Sequence, residues 1–179
     1  AKLFAAVLAD KERALGAGHE SVAATLSDSA DLLVEQGENA RAEEQLRRAG
    51  AVLDAALGED HPRGLVVKQR LARAYLERRD YDAAEKLGEE IVGIQRRALG
   101  PQHPAVADTL NSTLGPVHYF HRDYVAAEAT YREIVAIRTA ALGAEHPDVA
   151  IALGNLSMML VEQGRVDEAI TSLHAAIEA

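Results

Sequence analysis

A short motif, Leu-Gly-x-x-His, occurs four times in this chain at almost constant intervals. Its histidines are His19, His61, His103 and His146, so successive copies lie 42, 42 and 43 residues apart. A proline follows each of the last three histidines. Recurrence at such a period is typical of a repeat architecture, in which each unit buries its apolar surface against its neighbours. The repeat therefore constrains the fold of this 179-residue chain more than any other feature.

Each repeat predicts two helices separated by a polar break. After the histidine, apolar residues follow helical spacing, as at Val149, Leu153 and Leu156. A second helix follows the break, and Asp80 and Asp123 are placed to cap its start in two of the repeats. That helix ends at Leu-Gly, where the glycine can adopt a left-handed conformation, and the proline opens the next helix. Abundant alanine, the strongest helix former, and an aromatic content of only 4% also favour an all-α fold.

Charge and composition exclude several classes of protein. The net charge of −9 argues against nucleic-acid binding, which needs clustered positive charge. No apolar run reaches the length of a membrane span, and the absence of cysteine excludes disulfides and thiolate metal clusters. The chain does not begin with methionine, so we expect an excerpt from a longer protein.

No sequence motif calls for catalysis or for a cofactor. Phosphate-binding glycine loops, HExxH and GxSxG are all absent from the sequence, so we expect no enzyme activity and no cofactor. The connector histidines cannot share an ion, because equivalent helices in a stack stand about 8–10 Å apart, and we expect them to be structural. His118 and His121 have the spacing of a helical metal pair, but no third ligand is evident. A core or surface role is therefore favoured for them, and no metal is predicted.

The third repeat contains one extra residue, which alignment from both sides places between Leu110 and Leu114. Pro116 then falls inside the same helix. An inserted residue in a helix often forms a π-bulge, and an interior proline removes a hydrogen bond. Either a functional distortion or drift within the repeat array explains these features.

The residues resemble a known family. The pattern Leu71-Ala72-x-x-Tyr75, followed by Tyr81-x-x-Ala84, resembles the tetratricopeptide repeat. The 42-residue period and the Leu-Gly-x-x-His-Pro connector resemble the long variant of kinesin light chains. This resemblance implies an all-α fold, a right-handed α-solenoid of antiparallel helix pairs, and a fragment of a bacterial multidomain protein. It implies one domain over residues 1–179, with a truncated repeat at 1–18 and full repeats at 19–60, 61–102, 103–145 and 146–179.

In the resembled family, the first helix of each repeat lines a concave groove that holds a peptide. The residue-by-residue mapping gives a binding set of Asp28, Asp31, Gln69, Arg70, Arg73, Tyr119, Phe120, Asn155 and Met158. The same mapping also places Ser27, Glu35, Glu77, Ser112, Thr113 and Glu162 on that face. Arginine is suited to gripping a peptide carboxylate. The alternative is that Arg70 and Arg73 only pair with Asp28 and Asp31 across adjacent helices.

The resemblance thus implies a cytoplasmic protein–protein interaction module that binds a peptide or a partner domain. One alternative is a cis-acting sensor or autoinhibitory array beside a signalling NTPase. Another is self-association through the ends of the solenoid, since no polar capping helix is evident at either end.

Overall fold

The computed structural model describes residues 2–178, and every regular element in that range is helical. The elements, in chain order, are α1 (Lys2–Leu15), α2 (Glu20–Glu35), α3 (Asn39–Leu57), α4 (Pro62–Glu77), α5 (Tyr81–Leu99), α6 (Pro104–Thr109), a π-helical turn (Leu110–Leu114), α7 (Gly115–Phe120), α8 (Tyr124–Leu142), α9 (Pro147–Glu162) and α10 (Val166–Glu178). Within residues 2–178, none of these helices combines the length and apolarity needed to cross a membrane.

The helices form two compact units, α1–α4 up to Asp80 and α5–α10 from Tyr81 onward. The predicted single domain and its repeat boundaries stay a prediction, and its outer bounds at residues 1 and 179 lie outside the described residues. In the first unit, α3 packs against both α2 and α4, and α1 packs against α2. The helices α2 and α3 bury alanines, among them Ala23, Ala30 and Ala42, none of which has exposed surface. Small side chains allow helix axes to approach closely, which explains the alanine-rich composition.

In the second unit, α8 packs against α9, and α9 packs against α10. The segment from α6 through the π-helical turn to α7 packs against α5 and α8. The core of this unit includes Val106, Ile134, Ile137 and Met159, all without exposed surface. Burying each of these side chains stabilises the fold by about 1.5–3 kcal/mol relative to exposure.

Each connector histidine caps the helix that follows it. The Nδ1 atoms of His19, His61, His103 and His146 accept hydrogen bonds from the backbone N–H two residues later, at 3.1, 3.2, 3.2 and 3.1 Å. This contact satisfies one of the N–H groups that every helix start leaves without an intrahelical partner. The structural role predicted for the four histidines is confirmed.

The connector glycines have positive φ, as the Leu-Gly pattern predicts. Gly58, Gly100 and Gly143 have φ of 93°, 92° and 90°. At Gly58 and Gly143, however, ψ is 153° and 157°, so the prediction of a left-handed helical conformation is wrong there. Essentially only glycine occupies this extended region with positive φ, which makes the requirement for glycine stricter than predicted.

The inserted residue of the third repeat forms the π-helical turn Leu110–Leu114, as predicted. Pro116 lies in the first turn of α7, directly after it. The wider hydrogen-bond ring of a π-turn accommodates one extra residue while the backbone stays helical on both sides. Two residues expected on the groove face are instead buried: Thr113 is 3% exposed and Ser27 is 7% exposed.

Candidate functional site

Two neighbouring clefts lie between α2 and α4 in the first unit. Their volumes are about 430 Å³ and 230 Å³, and Arg70 lines both. The larger, here named the Arg73 cleft, is lined by Asp31, Val34, Glu35, Leu46, Arg70, Arg73, Ala74 and Glu77. The smaller is lined by Ala23, Ala24, Ser27, Asp28, Leu53, Arg63, Val66, Val67 and Arg70.

The floor of the Arg73 cleft is apolar, whereas its walls carry charge. Leu46 and Ala74 are 2% and 5% exposed, and Val34 is half-buried beside them. Leu46 belongs to α3, the second helix of its repeat, so a mapping restricted to first helices missed it. The repeat pattern contained the necessary signal, because Leu46 has the helical spacing of the core residues Ala42 and Ala49.

Arg70 is held by α2. Its Nη1 donates hydrogen bonds to Ser27 Oγ at 2.9 Å and to Asp31 Oδ2 at 2.8 Å. The second contact is an ion pair in which the Arg70 side chain is 37% exposed. The pairing alternative is therefore realised for Arg70 and Asp31, although an exposed pair of this kind contributes only about 0–1 kcal/mol to stability.

Arg73 is held differently. Its Nε donates to Glu77 Oε1 at 2.9 Å, one turn further along α4, and its side chain is 78% exposed. The pairing of Arg73 with Asp28 or Asp31 is wrong, since its ion pair lies within its own helix. Among the described residues, the Nη atoms of Arg73 have no partner. The cleft thus presents a guanidinium whose outer donors are available for a planar, bidentate contact.

The other predicted residues of the first unit, Asp28 and Gln69, lie outside the lining of the Arg73 cleft. Asp28 is exposed and lines the smaller cleft. Gln69 is half-buried on α4 and does not contribute to the lining of either cleft. Asp31, Arg70 and Arg73 thus line one cleft, whereas Asp28 and Arg70 line the other.

The remaining predicted residues belong to the second unit, on α7 and α9. Phe120 is 52% exposed and stacks on Tyr81, with ring centroids 4.9 Å apart and an angle of 9° between the rings. Tyr119 packs against the core of this unit, its ring centroid 5.6 Å from that of Phe120. Asn155 is half-buried, and Met158, on the same helix, is 43% exposed. The stacking commits one face of Phe120 to the fold, which the sequence mapping did not anticipate.

Comparison with protein families gives a match over most of the chain. The family model described as Tetratricopeptide repeat matches residues 22–63 and 67–105, and a second one with the same description matches residues 108–179. A comparison with curated protein sequences finds no match.

Solved structures resemble the chain closely in fold. A Podosopora anserina protein of kinesin light chain type, with nearly identical TPR-like repeats, has a TM-score of 0.86 at 25% identity, covering 99% of this chain and 83% of that one. The crystal structure of BtubC (BKLC) from P. vanneervenii has a TM-score of 0.79 at 24% identity, covering 88% of this chain and 62% of that one. The chain therefore spans less than two thirds of the length of BtubC, and this second likeness establishes the fold alone.

Proposed function

The chain belongs to the tetratricopeptide repeat family, and from that premise we propose that its Arg73 cleft binds a short peptide carrying a carboxylate next to an apolar side chain. The all-α fold and the kinesin-light-chain-like repeat type predicted from the sequence are confirmed. Repeats of this family are generally protein-interaction modules, and their stacked helices form extended binding surfaces.

The exposure of Arg73 is the observation that carries the proposal. Arg73 is 78% exposed, and its Nε donates a hydrogen bond to Glu77 of the same helix. Arg70, in contrast, forms an ion pair with Asp31 of α2. A peptide carboxylate can therefore pair with Arg73 without first breaking a contact between helices. Charge-assisted, bidentate pairs between arginine and carboxylate are stronger than neutral hydrogen bonds and fix the orientation of the ligand.

The floor of the cleft supplies the second element of recognition. Leu46, Ala74 and Val34 form an apolar base in a volume of about 430 Å³, within the size range of small ligand sites. An aliphatic or aromatic side chain beside the carboxylate can be buried there.

Acidic residues around the cleft restrict the ligand further. Asp31, Glu35 and Glu77 line the same space as the two arginines. A peptide with several adjacent carboxylates would place like charges against them, which opposes binding. We infer that the preferred ligand carries one acidic residue, one bulky apolar residue and no acidic cluster.

The test is a peptide selection followed by titration. Random dodecapeptides are displayed on phage and selected against the chain, and a selected peptide is titrated by fluorescence anisotropy against wild type and Arg73→Ala. We expect Arg73→Ala to weaken binding by about 30-fold, equivalent to about 2 kcal/mol. A loss of this size is typical of an arginine that the bound partner buries. The loss should shrink at higher salt, because part of the contact is electrostatic.

Arg13→Ala is the matched control. Arg13 is 77% exposed and has one local ion pair, with Asp10 at 3.1 Å, but it lies on α1 and lines neither cleft. We expect Arg13→Ala to leave the peptide affinity unchanged. Equal affinities of wild type and Arg73→Ala for the selected peptides would refute the Arg73 cleft as the binding site. The cytoplasmic location, the cis-sensor alternative and self-association stay predictions.

A further inference from the structure

Two histidines and two carboxylates converge in the second unit, independently of the Arg73 cleft. His121, directly after α7, places Nε2 3.3 Å from Asp82 Oδ1 and Nδ1 3.6 Å from Glu85 Oε2. His118 of α7 places Nε2 3.5 Å from the other oxygen of Glu85, Oε1. One ligand atom from each of Asp82, Glu85 and His121 lies within 4.8 Å of the other two.

The histidines are specific to this repeat. At the repeat spacing, the positions equivalent to His121 carry Gln36, Arg78 and Gln163, and those equivalent to His118 carry the apolar or aromatic residues Leu33, Tyr75 and Leu160. Two separate departures from the repeat pattern therefore place two imidazoles beside the same glutamate. In the neighbouring repeats, other side chains occupy these two positions, so the packing of the helix pair does not require histidine there.

Glu85 also differs from its equivalents in its partners. Glu43 and Glu128, at the same position of other repeats, are buried and pair with Arg78 and Arg165 respectively. Among the described residues, Glu85 has imidazole partners and no guanidinium or ammonium partner. The positive charge that compensates this glutamate elsewhere has no fixed counterpart here.

The His118 ring is held at both of its nitrogens. Nδ1 lies in hydrogen-bond contact with Thr130 Oγ1 at 3.0 Å, and Thr130 Oγ1 also donates to the Ala126 carbonyl at 2.9 Å. The other nitrogen, Nε2, faces Glu85 Oε1 at 3.5 Å. These contacts fix the imidazole beside Glu85.

The His121 ring lies between two carboxylates. Its Nε2 faces Asp82 and its Nδ1 faces Glu85. A divalent cation bound by one of these nitrogens and by carboxylate oxygens would compensate the negative charge of Asp82 and Glu85.

We propose that Asp82, Glu85 and His121 bind a divalent first-row transition ion of the Zn²⁺ class, with His118 beside Glu85. The ion would link α5 to the residue that directly follows α7. Ligands about 2.0–2.1 Å from a tetrahedral ion stand about 3.3 Å from one another. An imidazole binds one ion through one nitrogen, so His121 would use either Nε2, 3.3 Å from Asp82 Oδ1, or Nδ1, 3.6 Å from Glu85 Oε2. Imidazole nitrogen combined with carboxylate oxygen suits zinc better than magnesium, which prefers oxygen alone. The Asp82 side chain is 96% exposed, so an ion can enter from solvent.

The first experiment is calorimetric titration of ZnCl₂ into the chain at neutral pH, repeated with MgCl₂. We expect one saturable zinc site per chain and no saturable magnesium binding. Because the ion binds only the folded state, zinc at about 100 times its Kd should raise Tm by about 5 °C or more. Absence of saturable zinc binding, or magnesium binding of equal strength, would overturn the proposal.

Variants then identify the ligands. Asp82→Asn, Glu85→Gln and His121→Asn should each weaken zinc binding at least 10-fold. The matched controls are Glu89→Gln, an exposed glutamate on α5, and His174→Asn, an exposed histidine on α10, and both should bind zinc within about twofold of wild type. Asp82→Asn keeps the test valid even if the other variants fold poorly, because its side chain lies almost entirely in solvent.

A measurement on wild type alone completes the test. The imidazole ¹⁵N resonances of His118 and His121 should shift on addition of zinc, while those of the capping histidines stay in place. Zinc affinity unchanged by both Asp82→Asn and His121→Asn, or no shift at either imidazole, would place the ion elsewhere and overturn the proposal.

Discussion

Gly88 of α5 faces Thr113 of the π-helical turn so closely that a Cβ on Gly88 would stand 2.9 Å from Thr113 Cγ2. The same Cβ would stand 2.9 Å from Leu114 Cδ2. Carbon atoms in contact are normally about 3.5–4.0 Å apart. The extra residue of the third repeat thus widens the helix toward α5, and the missing side chain of Gly88 makes room for it.

Gly88→Ala is expected to lower the free energy of unfolding by about 1–3 kcal/mol, because the new methyl overpacks this contact. Gly93→Ala, on the same helix, is the control: its Cβ would meet only the Arg97 Nη1 at 3.5 Å, an ordinary contact with a flexible side chain. Alanine inside a helix is favoured over glycine by about 0.5–1 kcal/mol, so Gly93→Ala should stabilise. Urea denaturation measures whether each variant raises or lowers the free energy of unfolding. Stabilisation by Gly88→Ala would contradict the close contact.

A second pair of glycines tests the connector conformation. A Cβ added at Gly143 or at Gly154 would have no atom within 4 Å, so packing plays no part in the comparison. Gly143 has φ of 90° and ψ of 157°, whereas Gly154 lies inside α9. Gly143→Ala should destabilise by about 1–3 kcal/mol through backbone strain, and Gly154→Ala should stabilise by about 0.5–1 kcal/mol. Thermal melts with the same sign for both substitutions would show that the connector does not require positive φ.

The capping histidines allow a rescue experiment. His61 Nδ1 accepts from the Arg63 backbone N–H at 3.2 Å, so His61→Ala should cost about 1 kcal/mol of stability. His61→Asn should restore most of that loss, because asparagine is among the strongest capping residues. Chemical denaturation of the two variants and wild type gives the comparison. Equal losses for alanine and asparagine would mean that the imidazole acts through something other than the cap.

The fold was predictable to the extent that it follows from local rules repeated along the chain. Helix starts at Pro62, Pro104 and Pro147 and the π-turn at Leu110–Leu114 all follow from spacing and from the fixed chemistry of proline and glycine. The ψ angle of Gly58 could not be predicted in this way. A glycine at the end of a helix indicates that a positive φ is allowed, but it does not specify which ψ accompanies that φ.

The candidate sites were less predictable because they depend on contacts between helices. Sequence spacing showed that Arg70 and Arg73 share a face, but only the structure shows that Asp31 engages Arg70 and leaves Arg73 to its own helix. His118 and His121 were visible as a pair, whereas Glu85 lies on a different helix, and helix pairing alone does not specify which side chains meet. Comparison of repeats, position by position, would have identified both histidines as departures from the pattern.

Glu128 contacts three groups although it is only 4% exposed. It pairs with Arg132 on its own helix and with Arg165 at 2.7 Å, and it accepts a hydrogen bond from Gln163 Nε2 at 2.8 Å. Burial raises the pKa of this carboxyl, but the hydrogen bonds from Gln163 and Arg165 and the charges of the two arginines outweigh burial, so the pKa lies below its ordinary value. The hydrogen bond from Arg165 likewise lowers the pKa of Glu168.

The stability of the chain should therefore depend on pH in a defined direction. A carboxyl with a lowered pKa in the folded state contributes stability at pH above its unfolded-state pKa of about 4.5, and that contribution is lost as the pH falls through the folded-state value.

Glu128→Gln should destabilise by about 1.5–3 kcal/mol at pH 7, the contribution of hydrogen bonds to a charged group. The difference in the free energy of unfolding between Glu128→Gln and wild type should narrow below about pH 4.5. The stability of both proteins still depends on acid in that range, because both retain Glu168 with its lowered pKa. Urea denaturation between pH 7 and pH 3.5 measures this change, with the exposed Glu89→Gln as the control that should leave the pH profile unaltered. A constant difference between Glu128→Gln and wild type across that range would show that the ionised form of Glu128 has no part in stabilising the contact between α8 and the loop after α9.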